Sequence, residues 1–131
     1  MGEQLAHSIN SGSTIFSLQN GLDNAKVLSE HLPNAEIIAG MVAFNVVWKS
    51  PGHYVCATEG DIYLGPGAHS LDLCKLINAS GISCRIPSDI QAIQYAKLML
   101  NLNNALNALS GLTLLEQLRH CLLYTSDAAD E

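Results

Sequence analysis

Along the first two thirds of the chain, apolar residues come in short runs separated by turn residues; after Pro87 they recur at helical spacing. GEQLAHSIN reads as the end of a helix, and Thr14 to Leu18 as a short β-rich run stopped by Asn20-Gly21. Asp23 or Asn24 can cap a helix that continues to Glu30 on a partial apolar face of Leu22, Val27 and Leu28 and ends before Pro33. The run AEIIAGMVAFNVVW, Ala35 to Trp48, is apolar at nearly every position and predicts a strand covered on both faces. Pro51-Gly52 marks a turn.

Tyr54 to Thr58 and Asp61 to Leu64 predict two short strands joined as a hairpin around Glu59-Gly60, so antiparallel strands adjoin parallel-type ones. Ser70 to Asn78 predicts a helix with Leu71, Leu73, Cys74 and Ile77 inward and Gly81 in the C′ position. Gly81 to Ile86 is a further short strand. Pro87-Ser88 opens a long helix, with Ser88 as N-cap, Gln91 placed for a capping box and Gly111 as the stop. TLLEQLRH starts another helical segment. This order describes the back half of an α/β sheet domain passing into a helical one, with the boundary at Pro87-Ser88.

The long helix mixes two patterns. With Lys97 taken as zero and about 100° per residue, Asn101 falls near 40° and Asn104 near −20°, while Leu98, Leu102, Leu106 and Leu109 fall at roughly 100° to 180°. Lys97, Asn101 and Asn104 therefore form one polar file beside a leucine stripe expected to be buried. Such a file on an exposed helix face is the commoner arrangement. Asparagine is, however, a poor filler for an exposed helix, and four asparagines stand within the seven residues from Asn101 to Asn107. An ammonium and carboxamides at i, i+4 and i+7 can converge on one polar ligand, each offering donors that burial would leave unpaired at a cost of ~1–3 kcal/mol.

Composition narrows the class. The chain has 131 residues, 48% hydrophobic and 14% charged, with a mean hydropathy of +0.19, which fits one globular domain with a core and argues against disorder. No apolar run is long enough for a membrane span, and the start lacks the basic and apolar regions of a secretory signal, so a cytoplasmic protein is the expectation. With a net charge of −6 and no cluster of lysines and arginines, a nucleic-acid surface is not indicated. Cys56, Cys74, Cys84 and Cys121 show no CxxC spacing and the five histidines are scattered, so neither a metal site nor a disulfide framework is expected.

From Cys121 the sequence reads CLLYTSDAADE, which resembles the translation of a transposon adapter used in DNA library preparation. It carries half of the net charge and is set aside from functional argument. The expectation is that the chain is a fragment whose Met1 is internal to a longer frame.

Four segments in order, SLQNG (Ser17 to Gly21), IIAGMVAF (Ile37 to Phe44), SPGHYVCATEGDIYLG (Ser50 to Gly65) and DIQAIQYAKLMLNLNNALNALSG (Asp89 to Gly111), resemble the ketopantoate reductase (2-dehydropantoate 2-reductase) family. The resemblance implies an α/β fold: the back half of a Rossmann-like dinucleotide-binding domain with an antiparallel hairpin (residues 1–87), then the first long helix of an all-α domain (88–120), with 121–131 a non-native tail. It implies NADPH as cofactor, a small 2-oxo acid as substrate, Lys97 as catalytic acid, and Asn101 as a substrate ligand. Asn104 lies on the same face, although the family's next asparagine falls at Ala105. Asn20 implies contact with both nicotinamide ribose and substrate, and Val46 a backbone contact to the cofactor. The family's GxGxxG loop has no counterpart here, since Gly60, Gly65 and Gly67 stand in turn context. The fragment is thus expected to lack reductase activity and, through truncated apolar surface, to self-associate. A paralogous 2-oxo acid reductase and a non-catalytic α/β association module remain the alternatives.

Overall fold

The computed structural model describes residues 2–113 together with Leu115, Glu116 and Arg119. The tail from Cys121 and part of the segment TLLEQLRH lie outside the described residues. In chain order the elements are α1 (Gly2–Ala6), β1 (Thr14–Ser17), α2 (Asn24–His31), β2 (Glu36–Val42), β3 (Val46–Ser50), β4 (His53–Cys56), β5 (Ile62–Leu64), α3 (Ser70–Ala79), β6 (Cys84–Arg85) and α4 (Ile90–Ser110).

Four strands form a mixed sheet in the order β1-β2-β5-β6. β1 pairs parallel with β2, Ser17 opposite Ala39; β2 pairs antiparallel with β5, Val42 opposite Ile62; β5 pairs parallel with β6. The core gathers Ile38, Ile62, Leu64, Cys74 and Cys84, flanked by Phe16, Val42, Phe44, Leu73 and Ile77. Ile38 and Leu64 are 1% and 0% exposed, as residues of strands sandwiched between layers should be. The α/β class expected from the sequence is the fold observed.

The helices of this half end where their punctuation predicts. α2 starts at Asn24 behind Asp23, and α3 closes through Ser80 onto Gly81, whose φ of +89° is the left-handed conformation that glycine supplies after a helix. Asn78 then ties α3 to β6: its Nδ2 donates to the Cys84 carbonyl at 2.9 Å and its Oδ1 accepts from the Cys84 amide at 3.0 Å. Burial pushes the Cys84 thiol up to about 11, so it stays protonated and packs as an apolar residue.

Three sequence expectations need correction. The run from Ala35 to Trp48 is two strands: β2 stays in the sheet, and the chain leaves it after Val42, where the Asn45 amide donates to Thr58 Oγ1 and the Asn45 carbonyl accepts from Ala57 N, both at 2.8 Å. The hairpin turns at Pro51-Gly52 rather than Glu59-Gly60, joining β3 to β4, because Gly52 has the positive φ (+76°) that the tight connection needs. Gly60 instead passes so close to Ala43 that an added Cβ would meet the Ala43 backbone at 2.6 Å. The long helix is capped by Asp89, not Ser88: Asp89 Oδ1 accepts from the Ala92 amide at 3.0 Å, and a carboxylate there also suits the helix dipole.

The chain divides into two compact units, one reaching Tyr95 and the other starting at Ala96. Of the leucine stripe expected to be buried along α4, Leu102 and Leu109 are exposed, Leu109 to 86%, and the Leu106 side chain lies outside the described residues; Met99 and Leu100 beside the stripe are exposed too. Lys97, Leu98 and Asn101 are half-buried. Thr113 and Glu116 form a capping box, Thr113 N donating to Glu116 Oε2 at 2.7 Å and Glu116 N to Thr113 Oγ1 at 3.4 Å. No helix among the described residues is long and apolar enough to cross a membrane.

Candidate active site

β1 and β2 run parallel, so their carboxyl ends share one edge of the sheet, the edge where α/β folds place ligands. β1 closes on buried Ser17 and continues through Leu18 and Gln19 into an exposed turn at Asn20 and Gly21. The turn is held from within: Asn24, at the start of α2, donates through Nδ2 to the Asn20 carbonyl at 2.8 Å, and Gly21 takes φ +110°. The main chain is thereby fixed while the Asn20 residue stays open to solvent, on the wall of a cleft of about 460 Å³ shared with Asn24, Val27 and His31. A carboxamide there can donate to and accept from a ribose hydroxyl, and can donate to a carbonyl. In chemistry and openness this turn can take a polar ligand.

Val46 opens β3 opposite Cys56 and lines a different cleft, of about 510 Å³, with Phe44, Glu59, Asp61 and Ile82. The structure therefore does not gather Asn20 and Val46 into one cavity. In that second cleft Asp61 takes a hydrogen bond from Ser83 that holds its carboxyl below the usual carboxylate range, and Arg85 Nε adds an ion pair at 2.8 Å. It is an anchoring group tied to β6, not a base in waiting.

Lys97 and Asn101 lie one helical turn apart on α4, in the second unit, both half-buried. The Asn104 side chain lies outside the described residues. Among the described residues no three histidines, cysteines or acids converge as a metal site would require.

Two polar arrangements were not read from the sequence. Glu36, at the head of β2, takes a bond from His69 Nδ1 at 2.5 Å, a second from the Ala68 amide and a third from Thr14 Oγ1 at 3.1 Å. These bonds hold its carboxyl below the ordinary value, the one from His69 most strongly. With Glu36 and His69 33 positions apart, no local spacing signals the pair. The other is Gln94, whose Nε2 donates to the Gly40 carbonyl at 3.2 Å. Its signal was available, since Gln94, Lys97 and Asn101 recur at i, i+3 and i+7.

Known proteins share this fold. Residues 1–69 match the sequence profile described as ketopantoate reductase PanE/ApbA. A 2-dehydropantoate 2-reductase of Halobacterium salinarum is 29% identical over 105 residues, covering 76% of this chain and 35% of that protein. The crystal structure of a PanE/ApbA family ketopantoate reductase from Ralstonia eutropha JMP134 superposes with a TM-score of 0.77 at 28% identity, over 85% of this chain and 37% of that one. D-mandelate dehydrogenase in complex with NADH superposes with a TM-score of 0.73 over 85% of this chain and 39% of its own; at 18% identity it shows the fold alone. The chain spans about a third of the length of these relatives. With its profile match across the β1 turn, the parallel pair and the hairpin, the chain belongs to the ketopantoate reductase PanE/ApbA family.

Proposed function

We propose that this chain is part of a cytoplasmic NADPH-dependent 2-dehydropantoate 2-reductase, which converts ketopantoate to pantoate. In this reading residues 1–87 belong to the dinucleotide-binding domain and 88–120 open the helical domain. The observation that carries it is that Lys97 and Asn101 stand one turn apart and half-buried on α4, while Leu102 and Leu109 of the same helix are exposed. In an exposed-face role the polar pair would be in water and the leucines covered.

When bound, the dinucleotide supplies a hydride to the ketone carbon. The ketone oxygen then gains charge and needs a proton and a positive neighbour, both of which an ammonium provides. Lys97 is assigned that role, donating its proton to the nascent alkoxide. Asn101 orients the substrate by hydrogen bonds to its polar groups, and Asn20 touches nicotinamide ribose and substrate from the end of β1; Asn104 is assigned to the substrate side and the Val46 backbone to the cofactor. The 131-residue chain, without a GxGxxG loop, is expected to show no turnover by itself.

The test is Lys97→Ala in a polypeptide of the relatives' length. A drop in kcat of ~10²–10⁴-fold with unchanged NADPH binding is expected, because a proton donor acts in the transition state. Equal losses in rate and cofactor affinity would contradict the role. A reductase for another branched 2-oxo acid would show turnover of that acid and none of ketopantoate. A second reading, an association module without catalysis, draws on the exposed Met99, Leu102 and Leu109; it requires that the longer polypeptide reduce no 2-oxo acid at all.

A further inference from the structure

At the end of β1 the chain arches through Gln19, Asn20 and Gly21 between two fixed points. Upstream, Leu18 lies over Gly40 of β2, where an added Cβ would meet Leu18 Cδ2 at 2.6 Å. Downstream, the Asn24 side chain reaches back one helical turn from the start of α2 and donates through Nδ2 to the Asn20 carbonyl at 2.8 Å. The N-cap residue Asp23 makes no side-chain cap bond, so the tie between turn and helix falls to Asn24. Gly21, between the two asparagines, takes φ +110°, and an added Cβ on it would stand 3.1 Å from Asn24 Nδ2. Glycine there supplies the left-handed conformation and leaves room for the amide.

The two anchors differ in kind. The Leu18 contact is apolar and tolerates sliding, whereas an N–H···O bond is directional. Asn24 holds the main chain of Asn20 and leaves that residue exposed on the cleft wall. An exposed turn without such a hold samples several conformations, and a ligand that needs one of them binds more weakly by the fraction of time it is present. We propose that Asn24 is a positioning residue: by binding the Asn20 carbonyl it presets the Asn20 carboxamide for the nicotinamide ribose. Turn, helix and both anchors lie within the one unit that reaches Tyr95. The role rests on the reductase reading, in which Asn20 touches that ribose.

The experiment uses a polypeptide of the relatives' length and reads NADPH affinity from nicotinamide fluorescence, independently of turnover. Asn24→Ala removes the donor. Asn24→Asp removes it while keeping the shape, and its carboxylate suits the first turn of α2. Both should weaken NADPH binding about 3- to 10-fold, the scale of one neutral hydrogen bond, and Asn24→Asp should melt as the wild type does. The decisive comparison repeats Asn24→Ala on Asn20→Ala. A residue that acts through Asn20 has nothing left to place there, so binding should weaken no further. Wild-type affinity in Asn24→Ala overturns the proposal, as does a loss of the same size on both backgrounds. If Asn24→Ala does not fold, Asn24→Asp is compared on the two backgrounds, and equal losses overturn it. A wild-type protein that reduces no 2-oxo acid overturns the reductase reading itself, whereas turnover of ketopantoate together with normal NADPH binding by Asn24→Ala removes only the role of Asn24.

Discussion

One largely apolar run supplies both β2 and β3, yet the two strands live in opposite surroundings. β2 places Ile38 at 1% and Met41 at 9% exposure. β3, a few residues on, leaves Val46, Val47 and Trp48 at 53%, 41% and 59%, and its partner β4 leaves Tyr54 at 63%. The difference comes from pairing and not from hydropathy: β2 has neighbours on both sides and α3 in the core beside it, whereas β3 and β4 have only each other. A two-stranded hairpin alone is marginal in water. Apolarity thus makes a strand available for burial, and the layers around it decide whether burial occurs.

The sharpest way to break the comparison is to truncate one residue on each side of it. Leu64→Ala, at a position with no exposure, should lower stability by ~2–5 kcal/mol, while Trp48→Ala should lower it by less than about 1 kcal/mol, the scale of one cross-strand pair with Tyr54. Chemical denaturation of the two variants measures both. A Trp48→Ala loss equal to that of Leu64→Ala would show that the hairpin is part of the cooperative core.

The passage between the two regions gives a smaller effect. Gly60→Ala would drive a Cβ into the Ala43 backbone, and overpacking of this kind costs about 1–3 kcal/mol. Melting curves that match the wild type would mean that the crossing yields at no cost.

The smallest effect sits at the opposite edge of the sheet and depends on pH. Glu36 is held below its ordinary pKa chiefly by His69, so its bonds stabilise the fold above the ordinary glutamate value of about 4.3, and that contribution fades as the pH falls through the lowered value. Glu36→Gln should therefore be less stable than wild type at neutral pH, and the gap should close in acid. A gap that widened on acidification would refute the assignment.

What the sequence disclosed and what it hid follow a physical divide. Local punctuation was legible: Pro33 follows the end of α2 and Gly81 the end of α3, because prolines and left-handed glycines act within one turn. Choices between competing local signals were not. Glu59-Gly60 read as a hairpin and Pro51-Gly52 only as a turn, and the pairing of β5 with β2, a long-range contact, decided against the first. Ser88 and Asp89 compete for one cap, and one residue of offset settles it. At the candidate site, the i, i+4 relation of Lys97 and Asn101 was legible, while the Gly40 bond of Gln94 required the fold. The exposure of Leu102 and Leu109 shows the same limit: periodicity names a face but not what covers it.

The tie between Asn78 and Cys84 has a consequence for solubility. In a parallel pairing through Ile62, the Cys84 amide and carbonyl point away from β5, toward the rim of the sheet. Asn78 occupies both with one carboxamide, imitating the peptide group of an absent neighbour. A stray strand from another molecule arriving at Cys84 finds the template already filled, so this rim resists the end-on growth to which open sheets are prone.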